Sequence, residues 1–256
     1  MADLENFADI INKAYSKTKA VTGRLSSVQT LGTLDGPGVR YVAFLQGCML
    51  HCGYCHNIET RNACGGYVIS ADELVKDILS YREYFGADGG VTLSGGEPLL
   101  QPQFVMAVFK KLKENGVNTC LDTSGALPEN AWDLLGFCDY CLLDIKFRDE
   151  FSYQKYIGCS LYKPLEFLDM LQRRNVKTRL RQVVVEGLND DVRNAEFLAK
   201  LKKSYSVVEE IEFLPMRKLC VSKYQSLGLN FPFDSFCETN PETISKMQNF
   251  LLNCNK

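Results

Sequence analysis

The stretch VRYVAFLQGCMLHCGYCHNIET, residues 39–60, joins a strand pattern to a compact cysteine motif. Its first part is rich in β-branched, aromatic and other apolar residues, which predicts a buried strand. Cys48, Cys52 and Cys55 follow at once in a C-x3-C-x2-C pattern. Three thiolates so close together predict a metal site in the loop that leaves this strand.

The order of strand and then helix recurs along the rest of the chain. Strand patterns occupy residues 39–47, 91–95, 118–125, 140–146, 176–187 and 208–216, and helix patterns occupy 70–86, 103–116, 128–136, 164–175, 190–204 and 241–253. Such alternation implies parallel strands joined by right-handed crossovers. Six units are too few for a closed eightfold barrel, so we predict an α/β fold, an open, partial (β/α)6 barrel of the TIM type with a parallel sheet. A doubly wound open sheet is the alternative.

The chain divides into a short extension and one domain. Apolar residues recur at helical spacing in residues 1–20, so residues 1–22 are predicted to be an N-terminal, helical extension. Residues 23–256 are predicted to form a single domain, since a core of this size suits one α/β unit.

The composition indicates which kinds of binding partner and which cellular compartment to expect. The chain has 256 residues, a formal net charge of −2 and no cluster of Lys and Arg, which argues against a nucleic acid partner. The N-terminal segment lacks the apolar core of a signal peptide, and no apolar run approaches the roughly 20 residues of a membrane helix. The 11 cysteines therefore predict a reducing, cytoplasmic setting, in which a tight cysteine cluster is a metal or redox site.

Three further polar motifs end predicted strands: SGGEP at residues 94–98, DTSG at 122–125 and DIK at 144–146. The first two have ordinary explanations, a glycine-rich turn for SGGEP and strand-end capping for DTSG. The carboxyl ends of parallel strands, however, meet at one edge of the sheet. All four motifs are therefore predicted to converge on one rim, which favours a binding site.

The cysteine spacing alone leaves two metals open. Structural zinc takes four ligands, so it would need His51 or His56, the two histidines of the chain, beside the thiolates. A 4Fe–4S cluster normally takes four thiolates. Held by three, it would keep one iron free for a small molecule.

The motifs GCMLHCGYCHN, SGGEP, LDTSG and LLDIK together resemble the radical S-adenosylmethionine superfamily. With DGPGVRYVAFLQGC at residues 35–48, they resemble more closely the family of activating enzymes of pyruvate formate-lyase and other glycyl radical enzymes. The resemblance runs from about residue 23 to the C-terminus. It implies one 4Fe–4S cluster on Cys48, Cys52 and Cys55, with S-adenosylmethionine chelating the fourth iron through its amino and carboxylate groups.

The resemblance also implies where S-adenosylmethionine lies. Tyr54 would lie against the adenine, Gly95 and Gly96 would face the methionine amino group, and Lys146 would meet the carboxylate. Arg217 occupies the position where the family often has a histidine that contacts the ribose. Arginine has only hydrogen-bond donors, so Arg217 could donate to the ribose but could not accept from it. Glu97 would either accept a bond from a ligand ammonium or anchor its loop. The residues assigned to this cofactor are Tyr54, Cys55, His56, Gly95, Gly96, Glu97, Asp144, Ile145, Lys146, Arg181 and Arg217.

Two further sites follow from the resemblance. A monovalent cation, Na⁺ or K⁺, would lie beside the methionine carboxylate on Asp122, Thr123, the carbonyl of Leu142, and Asp144. Asp35 of the DGPG motif is a candidate to hold the substrate loop, with a purely structural turn as the alternative.

The activity that the resemblance implies is that of an oxidoreductase of the formate C-acetyltransferase-activating type. Reduced flavodoxin or ferredoxin would supply an electron, and S-adenosylmethionine would be cleaved to methionine and a 5′-deoxyadenosyl radical. The radical would take a hydrogen from a glycine Cα of a partner enzyme, first of all pyruvate formate-lyase. The chain is expected to be monomeric and to work in an anaerobic cell. The alternatives are activation of another glycyl radical enzyme, chemistry on a small molecule, and a non-enzymatic zinc or iron–sulfur module.

Overall fold

The computed structural model describes residues 20–254, with side chains through residue 253. The helix predicted for the N-terminal extension therefore lies outside the described residues, apart from the last three residues of the extension. The first strand begins at Thr22, almost where the single domain was predicted to start.

Eight strands form one sheet in the order β3-β1-β2-β4-β5-β6-β7-β8. Six of them, β2 and β4 to β8, pair in parallel, which confirms the predicted series of β/α units. The outer strands of the sheet are β3 and β8, which do not pair with each other among the described residues, so the barrel is open. The strands are β1 (Thr22–Gly32), β2 (Arg40–Leu45), β3 (Tyr67–Ser70), β4 (Gly90–Gly95), β5 (Asn118–Thr123), β6 (Tyr140–Asp144), β7 (Lys177–Val184) and β8 (Val208–Pro215).

Two strands were not predicted. β1 pairs antiparallel with both β2 and β3 and widens the sheet on one side. Its sequence TGRLSSVQTLG is polar and largely exposed in its centre, so it lacks the apolar alternation by which strands are recognised.

The helices that pack on the sheet are amphipathic. The first of them starts at a capping box, as predicted: the Glu73 amide donates to Ser70 Oγ at 3.2 Å, and the Ser70 amide donates to Glu73 Oε2 at 2.9 Å. Among residues 20–254 the helices are α1 (Ala71–Leu79), α2 (Pro102–Glu114), α3 (Glu150–Tyr156), α4 (Tyr162–Arg174), α5 (Val192–Ser204), α6 (Val221–Ser226) and α7 (Pro241–Cys254).

The third crossover differs from its prediction. Residues 128–136 were predicted to be a helix, but they form two short 3-10 turns, Pro128–Asn130 and Leu134–Phe137. Pro128 and Gly136 bracket the segment, and both residues disfavour a continuous helix. The short helices α3 and α6 were not predicted, because one or two turns give no clear periodicity.

Apolar side chains form a main core between sheet and helices, and a second core at the carboxyl ends of the strands. We call the second one the loop-end core, because it lies under the cysteine loop. Its buried members are Leu50, Tyr54, Ile58, Ala126, Phe147, Tyr153, Ile157, Leu161, Val185, Met216, Cys220, Tyr224, Phe231 and Phe233. None of the helices within the described residues has the length and apolar character needed to cross a membrane.

Candidate active site

A cavity of about 360 Å³ opens at the carboxyl ends of the parallel strands. All four motifs that were predicted to share a rim contribute to its wall, because parallel strands bring their ends to one edge. The lining residues are Cys48, Leu50, Cys52, Tyr54, Cys55, His56, Asn57, Thr60, Ser94, Gly95, Gly96, Asp122, Thr123, Ser124, Asp144, Lys146, Arg181, Val183, Leu214 and Pro215.

The cysteine loop is fixed by its own backbone. The amide of Gly47 donates to the carbonyl of Thr60 at 2.7 Å, which closes the loop at its base. The amides of His51 and Gly53 donate to the carbonyls at the end of α3, with N···O distances of 2.8 and 3.1 Å. The loop therefore docks on α3, an element about 100 residues later in the chain.

The three cysteines present a donor set that fits an iron–sulfur cluster. Burial raises the pKa of Cys48 to about 12 and that of Cys52 to about 11, and it also raises the pKa of Cys55. These groups are protonated thiols until a metal displaces the proton, and soft thiolates are the ligands that iron–sulfur clusters take. Three cysteines suit a cluster with one iron left open.

The histidines do not complete a zinc site. His56 Nε2 donates to the carbonyl of Arg217 at 2.8 Å, and His51 is exposed in the loop. Among the side chains described, through residue 253, no three His, Cys, Asp or Glu side chains converge on the position of one ion. A zinc ion would need such convergence, whereas a cluster spreads three thiolates over separate irons.

A row of alternating charges crosses the cavity wall from β4 to β7. Ser94 Oγ donates to Asp122 Oδ2 at 2.6 Å, and Arg181 donates to the other oxygen of Asp122. Arg181 Nε also donates to Asp144 Oδ1 at 3.1 Å, and Lys146 Nζ donates to Asp144 Oδ2 at 2.9 Å. Each buried carboxylate thus has a cationic partner, so the net charge of the desolvated wall stays close to zero.

The two carboxylates of this row differ in pKa. Burial raises the pKa of Asp122 to about 6, although Arg181 opposes the rise. Burial also acts to raise the pKa of Asp144, but Lys146 and Arg181 together hold that pKa below its ordinary value. The wall therefore contains one carboxylate that titrates near neutral pH and one that stays ionised.

The cation site predicted on Asp122, Thr123, Leu142 and Asp144 involves groups that already have partners. Arg181 contacts both carboxylates, and Thr123 Oγ1 donates to Glu97 Oε1 at 2.6 Å. Leu142 lies opposite Asp122 in the β5–β6 register with its side chain buried. The cation site stays a prediction, and a bound cation would share these carboxylates with Arg181.

Glu97 anchors the rim and does not line the cavity. Its side chain is 1% exposed and accepts from Thr123 Oγ1, from the amide of Ser124 at 3.0 Å and from Ser124 Oγ. It also accepts from the amide of Leu99 at 3.1 Å. Of the two roles open to Glu97, the geometry favours the anchor, because four protein donors already surround its two oxygens.

Gly95 and Gly96 of SGGEP line the cavity, but the packing of the neighbouring backbone already requires glycine at these positions. Gly95 has φ +110°, and a Cβ there would lie 2.3 Å from the amide nitrogen of Leu45. A Cβ on Gly96 would lie 2.1 Å from the carbonyl oxygen of Gly47. The close approach of the end of β4 to the end of β2 and to the start of the cysteine loop thus requires glycine at both positions.

The remaining assigned residues fall at different distances from the cavity. Tyr54 is 5% exposed on the wall, and Lys146 Nζ lies 5.9 Å from its ring centre. Ile145 turns its side chain into the main core. Arg217 lies outside the wall, donating to the Thr239 carbonyl at 3.3 Å and pairing with Glu238 at 3.6 Å.

Asp35 lies in the β1–β2 connection, which precedes β2, whereas the cysteine loop follows it. Its carbonyl accepts from Thr92 Oγ1 at 2.6 Å, so the connection folds against the sheet interior. Burial raises the pKa of Asp35, and the charge of Arg181 lowers it. Asp35 itself is not among the residues that line the cavity.

Sequence reasoning missed the segment that backs the cysteine loop. Lys223 Nζ on α6 donates to the carbonyl of His56 at 3.0 Å and pairs with Glu59. The ring of Phe233 packs edge-on against Tyr54, with 5.8 Å between the ring centres. No local pattern in residues 216–239 indicates this role, because it depends on contacts more than 150 residues distant in sequence.

Comparisons with known proteins agree with this geometry. The sequence profile of the Radical SAM superfamily matches residues 42–198. The chain is 37% identical over 236 residues to pyruvate formate-lyase 1-activating enzyme of Escherichia coli strain K12, covering 91% of this chain and 96% of that protein. It is 39% identical over 232 residues to pyruvate formate-lyase-activating enzyme of Clostridium pasteurianum, covering 90% of this chain and 98% of that protein.

A solved structure shows the same fold. The crystal structure of a radical SAM methyltransferase from Sphaerobacter thermophilus superposes with a TM-score of 0.61 and 18% identity, covering 84% of this chain and 64% of that one. Membership of this superfamily implies a 4Fe–4S cluster and S-adenosylmethionine as cofactors, and the three cysteines of the motif are present in the described residues. By its profile match and by its identity with these relatives over most of its length, the chain belongs to the pyruvate formate-lyase-activating enzyme family of the radical SAM superfamily.

Proposed function

We propose that this protein is the activating enzyme of a glycyl radical enzyme, in the first place pyruvate formate-lyase. It cleaves S-adenosylmethionine reductively at a 4Fe–4S cluster and removes a hydrogen atom from a glycine Cα of its partner. One observation carries the proposal: three half-buried cysteines and the Asp122–Arg181–Asp144–Lys146 row share one cavity, in a chain of this family. The cavity volume of about 360 Å³ falls in the range of small-ligand sites.

The roles of the residues follow from their chemistry. Cys48, Cys52 and Cys55 would hold the cluster, which supplies the electron that cleaves S-adenosylmethionine. The ammonium of Lys146 suits the methionine carboxylate, and the carboxylate of Asp144 suits the methionine ammonium. Arg181 keeps Asp144 ionised and in position, since it holds the opposite side of that carboxylate. These contacts orient the cofactor, while the protein supplies no redox chemistry of its own.

Other groups exclude water and shape the nucleoside end. The ring of Tyr54 would cover the adenine from the side of the loop-end core, where Phe233 supports it. The backbone from Tyr54 to His56 would meet the nucleoside, because this segment lines the cavity. A dry site matters here, since a carbon radical must meet only its intended hydrogen.

The partner's glycine loop must reach the cavity from outside. We propose that it passes the open side of the barrel, where β8 ends the sheet. Asp35, whose charge already acts on Arg181, is the candidate to hold its backbone. The proposal has four further parts. Flavodoxin or ferredoxin donates the electron, and the protein is a monomer that works in the cytoplasm. A Na⁺ or K⁺ ion binds on the Asp122 side of the cavity.

The decisive experiment uses protein purified without oxygen. About four irons per chain are expected for one cubane cluster. With dithionite and S-adenosylmethionine the protein should release methionine and 5′-deoxyadenosine. Added pyruvate formate-lyase should then show the doublet signal of a glycyl radical in electron paramagnetic resonance. Cys52→Ala should abolish all three results, whereas Cys64→Ser, at an exposed cysteine near the loop, should leave them intact.

Two outcomes would contradict the proposal. Colourless protein holding one zinc would exclude cluster chemistry altogether. Iron-loaded protein that cleaves S-adenosylmethionine, yet gives no glycyl signal with any glycyl radical enzyme, would exclude the activating function and favour a small-molecule substrate.

A further inference from the structure

Arg40, the first residue of β2, is a fully buried cation that pairs with no carboxylate among the described residues. Its guanidinium donates instead to neutral acceptors, from Nε to Thr92 Oγ1 at 3.1 Å and from Nη1 to Asn118 Oδ1 at 2.8 Å. It also donates to three backbone carbonyls, those of Pro37, Asp88 and Val91, at 3.2, 3.5 and 2.5 Å. A buried charge is tolerated only when its donors are satisfied, so Arg40 keeps these groups in one arrangement around it.

The β1–β2 connection, residues 33–39, is one of the segments that Arg40 holds. Besides its direct bond to Pro37, Arg40 acts on this segment through Thr92. Thr92 Oγ1 accepts from Arg40 and donates its own proton to the carbonyl of Asp35 at 2.6 Å. A cationic donor strengthens the next bond in such a series. The backbone of Asp35 is therefore fixed from inside the sheet.

The connection is also closely packed where it meets the sheet. Gly36 is buried with φ +126°, and a Cβ on it would lie 3.5 Å from both Thr92 Oγ1 and Arg40 Nε. Two residues later, a Cβ on Gly38 would lie 2.5 Å from the amide nitrogen of Gly89. The connection therefore has little room to take another conformation.

The carboxylate of Asp35, unlike its carbonyl, accepts no hydrogen bond from any of the described residues. The residue is half-buried, so the carboxylate is only partly solvated. Such a group is open to N–H donors from a ligand, and a carboxylate makes stronger hydrogen bonds than a neutral acceptor. Because the carbonyl of the same residue is held by Thr92, the Cα from which this carboxylate extends is fixed before any ligand arrives.

We propose that Thr92, oriented by Arg40, positions Asp35 to bind the glycine loop of the partner enzyme. The inference rests on the proposed function, in which Asp35 holds the backbone of that loop. A connection that is already ordered lowers the entropy cost of binding, so the loop binds more tightly. Thr92 and Arg40 are positioning residues, since they act through Asp35 and touch neither substrate nor cofactor.

The test uses Thr92→Val in cluster-loaded protein, with purified pyruvate formate-lyase as substrate and the glycyl radical signal as the measure of rate. Valine keeps the size of the side chain but neither donates to Asp35 nor accepts from Arg40. KM for pyruvate formate-lyase should rise about fivefold to twentyfold, as for the loss of one hydrogen bond, while kcat changes by less than about twofold. Thr92→Ser, which keeps the hydroxyl, should restore KM.

Thr178→Val is the matched control on β7. Thr178 is likewise fully buried, and its hydroxyl donates to the carbonyl of Val176 at 2.9 Å, within its own segment. Its KM should equal that of the wild type. If Thr92→Val fails to fold or to bind iron, Thr92→Cys takes its place. The thiol is a weak donor and a weak acceptor, so KM should rise in the same direction by a smaller factor.

Hydrogen–deuterium exchange tests the anchoring without the partner. In cluster-loaded protein, the amides of residues 33–39 should exchange faster in Thr92→Val than in the wild type and equally fast in Thr178→Val and the wild type. This measurement does not depend on which enzyme is activated.

The outcomes separate the inference from the proposed function. A wild-type protein that forms no glycyl radical would refute the proposed function and, with it, the inference. A wild-type protein that forms the radical, with KM unchanged in Thr92→Val, would overturn only the inference, even if the connection exchanges faster. An equal rise of KM in Thr178→Val would overturn it as well, because the effect would then be general to buried threonines.

Discussion

Arg181 is the residue on which the charged wall depends. It is the only group that contacts both Asp122 and Asp144 among the described residues. Its side chain is 11% exposed, so its charge acts with little screening by water. Breaking a buried ion pair is costly, because the charges left behind have no partner.

We expect Arg181→Met to lower the free energy of unfolding at pH 7.5 by about 3–5 kcal/mol. Without the guanidinium, both carboxyl pKa values rise in the folded state. A raised carboxyl pKa costs stability above the folded pKa, and the cost disappears as pH falls toward the unfolded value of about 3.9. The loss should therefore be smaller at pH 5 when urea unfolding is compared at the two pH values.

Arg179→Met provides the control, two residues earlier on β7. Arg179 pairs with Glu210 at 2.8 Å and Glu212 at 3.4 Å, and its side chain is 22% exposed. Such a partly solvated pair contributes up to about 1 kcal/mol, with little change between the two pH values. Equal losses in both variants would contradict the special position of Arg181.

Glu97 offers a second prediction at this scale. Because four donors from the protein surround its carboxylate, Glu97→Gln should cost about 2–3 kcal/mol in protein that contains neither iron nor S-adenosylmethionine. A residue that only bound the ligand would leave this stability unchanged. Glu129→Gln is the control: the Glu129 side chain is 55% exposed and pairs with Lys163 at the surface, so this substitution should cost less than about 1 kcal/mol. Chemical unfolding measures both.

The conformation of the cysteine loop is fixed by contacts with residues far away in the sequence, at α3 and at Phe233. Gly53 lies between two cysteines, and a Cβ on it would lie 2.0 Å from Cε1 of Phe233. Its amide also donates to the Tyr156 carbonyl at 3.1 Å, so the loop cannot retreat without losing its contact with α3. Loop and ring are therefore closely packed at this point.

Gly53→Ala should reduce iron binding although Gly53 is not a ligand, since the added methyl must displace either the loop or Phe233. Iron content per chain after reconstitution measures the effect. Phe233→Ala in the same chain should restore much of the binding, because it removes the atom that the methyl meets. Gly136→Ala, where an added Cβ has no neighbour within 4 Å, should bind iron normally. No rescue in the double variant would contradict the contact.

At the scale of the whole molecule, the main core and the loop-end core stabilise different parts of the protein. The main core joins the sheet to its helices, and it includes Leu45, Leu93 and Leu121 of neighbouring parallel strands. The loop-end core joins the cysteine loop to residues from the second half of the chain. Among the described residues, Cys48 and Cys52 pack against the loop-end core, so cluster binding should order that end of the molecule and leave the sheet unchanged.

Hydrogen–deuterium exchange can test this division. Removing the cluster with a chelator under oxygen-free conditions should increase amide exchange in residues 47–62 and 216–239. The amides of β4 and β5 should keep their protection, since their partners belong to the parallel sheet. A uniform rise across the sheet would show instead that the cluster stabilises the entire domain as one unit.

Much of the fold could be predicted because its elements repeat. The six parallel strands and five of the six predicted helices contain apolar residues in runs long enough to reveal their period. The capping box at Ser70 was visible for the same reason, since it depends on residues three apart in sequence. β1, β3, α3 and α6 were missed because they are short, polar or half-exposed, and such segments carry no clear periodicity.

The sequence by itself determined the chemistry of the metal ligands and the edge of the sheet at which the motifs meet. Three cysteines within eight residues set the thiolate chemistry of the site, the family resemblance of the motifs implied the cluster type, and parallel strand order placed SGGEP, DTSG and DIK beside the cysteines. Only the tertiary structure decided which side chains already have partners. Glu97 accepts hydrogen bonds from Thr123 and Ser124 at the end of the next strand, Arg181 spans two carboxylates, and Lys223 reaches the carbonyl of His56 from 167 positions further along the chain. Local patterns cannot encode such contacts, because they exist only when the folded chain brings distant residues together and removes water from between them.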